Sequence, residues 1–222
     1  MKRLYNALNL KKLQTLKELG INFVEPIAEF KEPEIELPND IYKLEAIVKE
    51  CYLCELSKTR KNVVFGEGDI NTKLMFVGEG PGATEDNTGR PFVGRAGELL
   101  TKMIENVLNI PRSSVYIANI VKCRPPNNRV PTAKEALTCK PYLQKQIEII
   151  KPKLIVTLGS TAYNYLTNDT TAISKVRGNL FDMKDYWVLP TFHPSYLLRN
   201  PSAKKEAYLD MLKIKEFLQK DK

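Results

Sequence analysis

Histidine is nearly absent from this chain. Its 222 residues include one His, at position 193, and only four Cys. A single His excludes a zinc finger built on two His, a metal site with three His ligands, and any mechanism that needs separate imidazole groups as acid and base. Chemistry that depends on an imidazole must therefore use His193.

Long apolar runs are also missing. No stretch approaches the roughly eighteen apolar residues that a membrane-spanning helix needs, and the longest runs, such as residues 154–156, have the length of a strand. The N-terminus lacks the continuous apolar core and the small-residue cleavage site of a secretory signal. We therefore expect a cytoplasmic protein without a membrane partner. In that reducing compartment, Cys residues are more typical of metal or cluster ligands than of disulfides.

Acidic residues are outnumbered by basic ones. The chain has 26 Asp and Glu against 34 Lys and Arg, for a formal net charge of +8. Residues 1–24 contribute +4 and residues 25–40 contribute −5, so residues 41–222 carry +9. A basic folded region favours a polyanionic partner.

The first forty residues divide into two segments. Five Leu at close to helical spacing lead up to Gly20, which predicts an amphipathic helix within residues 1–24. Such a helix packs on its own domain or docks an unknown protein partner. Residues 25–40 contain three Pro among their acidic residues and have the composition of a linker. We expect residues 41–222 to form one domain.

Strand and helix patterns alternate in that domain. Apolar and β-branched runs predict strands, and longer stretches of helical periodicity lie between them. The predicted elements are strands at 73–78, 115–121 and 153–158, helices at 94–108 and 132–150, strand character over 181–192 with a polar turn at 182–185, and a helix at 203–218. This order predicts an α/β fold with a largely parallel sheet. Since ligands bind at the carboxyl ends of such strands, functional residues are expected in residues 78–82, 119–124 and 193–199.

The four Cys form one candidate metal site. Cys51 and Cys54 are a Cys-x2-Cys pair, which presents two thiolates from one short turn. Cys123 follows a predicted strand, and Cys139 lies in a predicted helix. Zinc and a four-iron four-sulfur cluster both take four thiolates, so spacing leaves these two open, together with separate buried thiols.

The glycine-rich segment 78–82 reads Gly-Glu-Gly-Pro-Gly. It lacks the Lys-Ser/Thr of a P-loop and does not fit Gly-x-Gly-x-x-Gly, which disfavours nucleotide binding. Glycines here allow the backbone to approach a flat ligand, with Glu79 able to order water or oppose positive charge. Further along, Phe92 either fills core or offers a stacking face.

The segment after the last strand combines apolar and basic residues. His193 is followed by two adjacent Leu and then by Arg199, like an apolar wedge beside a phosphate-binding charge. Basic residues cluster near the predicted ligand edge, which favours a nucleic-acid footprint. They are Lys58, Arg60, Lys61, Lys122, Arg124, Arg129, Lys175 and Arg177.

Together these segments resemble the iron-sulfur uracil-DNA glycosylases, family 4 of their superfamily. The resemblance covers about residues 45–200 and depends on the four Cys in the family's order and on four motifs. The motifs are Gly78 to Gly82, Gly89-Arg-Pro-Phe-Val-Gly94, Asn119-Ile-Val-Lys-Cys-Arg-Pro-Pro126 and His193-Pro-Ser-Tyr-Leu-Leu-Arg199. It implies a single three-layer domain with helices on both sides of the sheet. It further implies a four-iron four-sulfur cluster on Cys51, Cys54, Cys123 and Cys139.

The resemblance also implies an activity and its residues. The expected activity is hydrolysis of the N-glycosidic bond of deoxyuridine in single- or double-stranded DNA, by a monomer, which releases uracil and leaves an abasic site. The expected residues are Glu79 and His193 for catalysis, Gly80, Pro81, Glu85, Phe92 and Asn119 for substrate binding, and Leu197, Leu198 and Arg199 for DNA binding. Glu85 would crowd the C5 position and exclude thymine.

Two other functions fit parts of the pattern. One is a glycosylase for a broader set of deaminated bases, such as hypoxanthine and xanthine. The other is a DNA-binding module without enzymatic activity, stabilised by a zinc ion bound to the four Cys. One departure concerns the chemistry: the better-known branch of the superfamily has an Asp where this chain has Gly80, so the group that activates water is left open.

Overall fold

The computed structural model describes residues 14–21 and 37–220. The chain separates into two compact units, Met1–Glu36 and Leu37–Lys222. In the first, residues 14–18 are helical, and Gly20 follows in a left-handed conformation with φ of 80°. The rest of the predicted N-terminal helix and most of the predicted linker lie outside the described residues.

The second unit is built on a six-stranded sheet. Its strands are β1 (Glu67–Gly68), β2 (Leu74–Gly78), β3 (Tyr116–Asn119), β4 (Leu154–Leu158), β5 (Phe181–Asp182) and β6 (Trp187–Thr191), in the order β1-β3-β2-β4-β6-β5. The four inner strands run parallel, and β1 and β5 pair antiparallel at the two edges. The largely parallel sheet is confirmed. The two-residue β1 is too short to give a sequence pattern.

Helices cover both faces of the sheet. They are α1 (Ile41–Lys49), α2 (Ala83–Thr88), α3 (Arg95–Met103), α4 (Ala133–Ile150), α5 (Ser160–Thr167), α6 (Ile173–Val176), α7 (Pro194–Arg199) and α8 (Lys204–Lys220). The apolar faces of α1, α4 and α5 bury one side of the sheet, and those of α3 and α8 bury the other. This is the expected three-layer arrangement. No helix in the described residues is long and apolar enough to cross a membrane.

Local sequence explains why these elements form. Every residue of β2 and β4 is buried, as continuous apolar runs require of strands covered on both faces. Thr132 caps the start of helix α4: its side chain accepts the backbone N–H of Glu135, while the Glu135 carboxylate accepts that of Thr132. This capping box fixes where the helix starts.

The strand order positions a ligand site. After β2 the chain adds β3 on one side and then crosses to add β4 on the other. Neighbouring loops therefore leave the carboxyl ends of β2 and β4 in opposite directions and open a crevice between them.

Candidate active site

A cavity of about 510 Å³ opens at the carboxyl edge of the sheet. Each inner parallel strand contributes to its wall: Glu79 follows β2, Asn119 ends β3, Gly159 follows β4, and His193 follows β6. The three segments predicted from the sequence thus meet at one site. The loop after β4 is a fourth contributor that no sequence motif indicates, although the rule for carboxyl ends of strands applies to it equally.

Asn119 presents an unsatisfied amide to this cavity. The residue is 1% exposed, and its Oδ1 is buried without a hydrogen-bond partner in the described part of the chain. A Cβ at Gly78 would lie 2.5 Å from both Asn119 Oδ1 and Phe92 Cζ, so only glycine allows these groups to come so close. Buried polar atoms are nearly always paired in folded proteins. This acceptor therefore indicates a ligand with an N–H or O–H donor.

Phe92 forms an aromatic wall of the cavity in a strained backbone conformation. Its φ is 50°, which is rare for a bulky residue. Arg112 holds the preceding residue by donating from Nη2 to the Pro91 carbonyl at 2.7 Å, and it pairs with Glu67 at 2.8 Å. The Phe92 ring lies 5.7 Å from that of His193, tilted by 37°. The geometry gives a flat ligand one aromatic face and one imidazole.

Glu85 ties two loops of the cavity together. Its Oε1 accepts the backbone N–H groups of Val93 at 3.0 Å and Gly94 at 2.8 Å, and its Oε2 accepts that of Gly82 at 3.1 Å. Three backbone donors on one carboxylate fix the segment after β2 against the segment that carries Phe92. The carboxylate also lines the cavity, where the sequence predicted a substrate-binding residue.

His193 enters the cavity with a defined tautomer. Its Nδ1 accepts the backbone N–H of Ser195 at 3.1 Å, so the ring proton belongs on Nε2. Burial, and then the nearby Arg199 guanidinium, lower the pKa of His193 to about 4, against an opposing effect of Glu85. At neutral pH the residue is therefore a neutral imidazole with one N–H to donate.

Glu79 is held by a residue far away in sequence. Thr161, at the start of α5, donates from Oγ1 to Glu79 Oε2 at 2.5 Å. Both residues line the cavity, together with the neighbouring Ser160. The bond gives the Glu79 carboxylate a fixed direction. No sequence motif indicated this role for Thr161.

Gly80 and Pro81 lie in the segment after β2, and both line the cavity. A Cβ at Gly80 would lie 2.7 Å from Val121 Cγ2. A side chain at this position therefore forces the segment and Val121 apart. This packing explains why the chain has a glycine at position 80.

Replacing Gly80 by Ala should lower kcat/KM for the cavity's reaction about 10-fold, because displacements of about 1 Å at a reacting centre are costly. The double variant Gly80→Ala/Val121→Ala removes the obstructing methyl groups and should restore most of the loss. Steady-state kinetics of both variants and of Val121→Ala alone measure this coupling. A double variant no better than Gly80→Ala would refute the steric explanation.

The segment after His193 corrects one expectation. Leu197 is 1% exposed and packs in the hydrophobic cluster between the sheet and α3 and α8. It is a core residue, because its side chain faces inward from α7, and it is not placed to insert into DNA. Leu198 is half-buried and Arg199 is exposed, so a role in DNA binding stays a prediction for these two residues.

All four Cys line one small cavity between α1, α4 and the turn after Cys51. Two sulfurs accept hydrogen bonds: Cys123 Sγ from Arg60 Nη1 at 3.2 Å, and Cys139 Sγ from the backbone N–H of Lys122 at 3.4 Å. Among the described residues, no three ligand-type side chains converge closely enough to hold a single metal ion. A four-iron cluster takes one thiolate per iron, so its ligands surround it. Four sulfurs around one cavity, with N–H donors to two of them, fit this donor set.

Several of the basic residues assigned to a nucleic-acid footprint have partners inside the protein. Arg60 donates to the Cys51 carbonyl at 2.7 Å, and Arg129 binds the buried Glu135 through two nitrogens at 2.7 and 2.8 Å. Arg177 pairs with the buried Asp210. Lys122 is itself buried. Lys122 and Arg177 are therefore corrected from footprint to interior residues, whereas Arg60 is half-buried and Arg129 is exposed at the cavity, each held by its partner within the protein.

Comparison with known proteins identifies the class. A family model described as the uracil DNA glycosylase superfamily matches residues 65–213. The chain is 52% identical over 178 residues to the Type-4 uracil-DNA glycosylase of Thermotoga maritima, a match that covers 78% of this chain and 92% of that protein. It is 46% identical over 179 residues to the protein of that name from Saccharolobus solfataricus, covering 77% and 83%. The one from Sulfurisphaera tokodaii is 45% identical over 186 residues, covering 80% and 84%. The chain belongs to the uracil-DNA glycosylase superfamily, in its type-4 branch, as the resemblance predicted.

Proposed function

We propose that this chain is a DNA repair glycosylase that hydrolyses the N-glycosidic bond of deoxyuridine in DNA, releasing uracil and leaving an abasic site. The observation that carries this function is the unpaired, buried Oδ1 of Asn119 at the wall of the cavity. It is the acceptor that the N3–H of uracil satisfies. Family membership supports the same assignment.

Recognition follows from the hydrogen-bonding edge of the base. The amide Nδ2 of Asn119 donates to uracil O4 while Oδ1 accepts from N3–H. Cytosine carries an amino donor and a ring acceptor at these two positions, so the same amide rejects it. Phe92 stacks on the flipped base. Glu85 excludes thymine, because a carboxylate bound on both oxygens cannot swing away from a C5 methyl.

Bond cleavage places negative charge on uracil and positive charge on the sugar. Uracil leaves as an anion with the electron pair of the glycosidic bond, water supplies the hydroxyl that bonds to C1′, and the remaining proton of the water neutralises the released uracil. The neutral His193 donates its Nε2–H to uracil O2 as charge develops there. Glu79, oriented by Thr161, offsets the charge on the sugar and orders the attacking water.

DNA binding requires the base to leave the stack. We assign the filling of the vacated space to Leu198 and a backbone phosphate contact to Arg199, both on α7 beside His193. Single-stranded DNA needs no such filling, so a Leu198→Ala variant affects the duplex substrate more. The proposed partner is uracil-containing DNA, single- or double-stranded, and we expect the protein to bind it as a monomer in the cytoplasm.

Cys51, Cys54, Cys123 and Cys139 would hold a four-iron four-sulfur cluster. Ligation through these four residues would join the turn after α1 to the segment after β3 and to α4. The role of these residues is to hold those three segments together, because ligation and folding are linked.

A uracil-excision assay combined with a visible spectrum tests the function. Purified protein is incubated with single- and double-stranded oligonucleotides that contain uracil, hypoxanthine, xanthine or thymine at one position. Release of uracil alone, by a brown protein that contains iron and sulfide, supports the proposal. Release of hypoxanthine or xanthine at similar rates would favour the broader glycosylase. A colourless protein with stoichiometric zinc and no release would favour the binding module.

The low pKa of His193 makes a prediction about pH. With a pKa of about 4, the imidazole of His193 stays neutral as the pH falls from 8 to 5, so its titration does not lower the rate of uracil release over that range. Its protonation, which breaks the bond from the Ser195 N–H, lowers the rate only below about pH 4. Single-turnover rates of the wild type and of His193→Gln measure this. An acid limb near pH 6.5 that His193→Gln removes would contradict the prediction.

A further inference from the structure

A buried lysine connects the two sites. Lys122 is 1% exposed, and its Nζ donates to the backbone carbonyl of Asn119 at 3.0 Å and to Gln146 Oε1 at 2.5 Å. Its ammonium also lies 5.9 Å from the centre of the Phe65 ring. No Asp or Glu carboxylate forms an ion pair with it in residues 37–220. A buried charge without a carboxylate partner is costly and needs another source of compensation.

The cysteine cavity contains that source. Lys122 lines the same small cavity as all four Cys, and its backbone N–H donates to Cys139 Sγ. Four ligating thiolates would bring negative charge to this cavity, which Lys122 itself lines. Gln146, which accepts a hydrogen bond from the Lys122 ammonium, is 0% exposed. Its Nε2 donates to the Phe65 carbonyl at 3.0 Å and to Tyr116 Oη at 3.1 Å, and these two bonds fix the side chain. As a neutral amide, Gln146 orients the ammonium without neutralising it.

The other side of Lys122 faces the active site. Its ammonium binds the carbonyl of Asn119, the residue that presents the unpaired amide to the cavity. In the same turn, the N–H of Ile120 donates to the Gly78 carbonyl at 2.9 Å and that of Val121 to the Glu79 carbonyl at 3.2 Å. The turn that contains Lys122 therefore sets the backbone positions of both Asn119 and Glu79.

We propose that Lys122 is a positioning residue that couples the four-Cys site to base recognition, its ammonium offsetting the thiolate charge and fixing the Asn119 backbone. The proposal deepens the proposed function and depends on it for the recognition role of Asn119. Under this proposal, the charge of the cysteine site helps to hold the uracil-binding amide of Asn119 in place. Lys122 touches neither substrate nor reacting atoms.

Lys122→Met tests both contacts, since Met has a similar length but no charge and no N–H. In purified holoprotein we expect a more negative reduction potential, because loss of a nearby cation disfavours the reduced cluster. We also expect KM for uracil-containing DNA to rise about 10-fold with a smaller change in kcat. The matched control is Lys134→Met, which removes an exposed lysine of α4 and should change neither quantity.

Gln146→Glu provides a second test if Lys122→Met fails to fold. It keeps an acceptor for the ammonium but adds a competing negative charge, so the potential should fall while KM stays within about 3-fold of the wild type. Thermal unfolding and the visible spectrum check that each variant is folded and loaded.

Three outcomes would overturn the proposal. The first is a wild-type reduction potential in Lys122→Met or, if that variant does not fold, in Gln146→Glu. The second is a folded Lys122→Met whose KM and kcat are unchanged. The third is a wild-type protein that binds no cluster. A wild type that carries the cluster but releases no uracil would instead refute the proposed function, while the potentials would still report on the charge coupling.

Discussion

His193→Ala should lower the single-turnover rate of uracil release by about 10²- to 10³-fold, the cost of removing one donor to a developing negative charge. The affinity for uracil-containing duplex should change by no more than a few-fold, because phosphate contacts dominate binding to DNA. The physical reason is the tautomer. Since Nδ1 accepts the N–H of Ser195, the Nε2–H is the proton that faces the cavity, and Ala offers none.

Two measurements on the same preparations check this prediction. Uracil release is followed under single-turnover conditions, and affinity is measured by fluorescence anisotropy at fixed salt. Ser195→Ala is the matched control: it removes the hydroxyl that contacts His193 Nδ1 at 2.8 Å but keeps the backbone N–H, so its effect should be much smaller. Equal loss of rate and affinity in His193→Ala would mean that the residue supports the fold of the segment and does not donate in the reaction.

The sequence predicted the sheet and the edge that forms the site. Continuous apolar runs such as residues 154–158 occur in parallel strands covered on both faces, and β4 is buried throughout. The side chains that follow such strands must meet at one edge. The gathering of Glu79, Asn119 and His193 around one cavity was therefore predictable without knowledge of any contact.

Contacts between distant segments were not predictable. The Thr161 hydroxyl that orients Glu79 is 82 positions away in sequence. Periodicity shows which face of an element is buried, but it does not show which partner that face meets. The burial of Leu197 has the same cause, because only the placement of α7 decides which of two adjacent Leu faces inward.

Charged residues were the least predictable part. Lysine and arginine are almost never fully buried unless paired, so the sequence alone predicts a DNA-facing surface for Lys122 and Arg177. In the structure, Arg177 pairs with Asp210 and Lys122 lies between Asn119 and Gln146. The net charge of a chain thus overstates its DNA-binding surface, since some of its cations stabilise the interior.

Asn119→Asp should lower kcat/KM for uracil-containing DNA by about 10³-fold or more. A site built to hydrogen-bond one edge of a base rejects a mismatched edge strongly, because polar groups are left buried and unpaired. The carboxylate cannot donate to uracil O4 and instead opposes it with a second acceptor. Asn87→Asp, the same chemical change on the exposed surface of α2, is the matched control and should stay within about 2-fold of the wild type.

Rates of excision by Asn119→Asp are measured on two duplexes, one with uracil and one with cytosine opposite guanine. The comparison separates an effect on base recognition from an effect on folding. If the amide reads the base, the ratio of uracil to cytosine excision falls, since a carboxylate accepts from the cytosine amino group but cannot donate to uracil. Loss of all activity with an unfolded thermal profile would show only that a buried carboxylate is not tolerated, and Asn119→Leu, which adds no charge, would then replace it. A folded variant that keeps its preference for uracil would contradict the role of Asn119, because the orphaned Oδ1 at position 119 would then have no part in selecting the base.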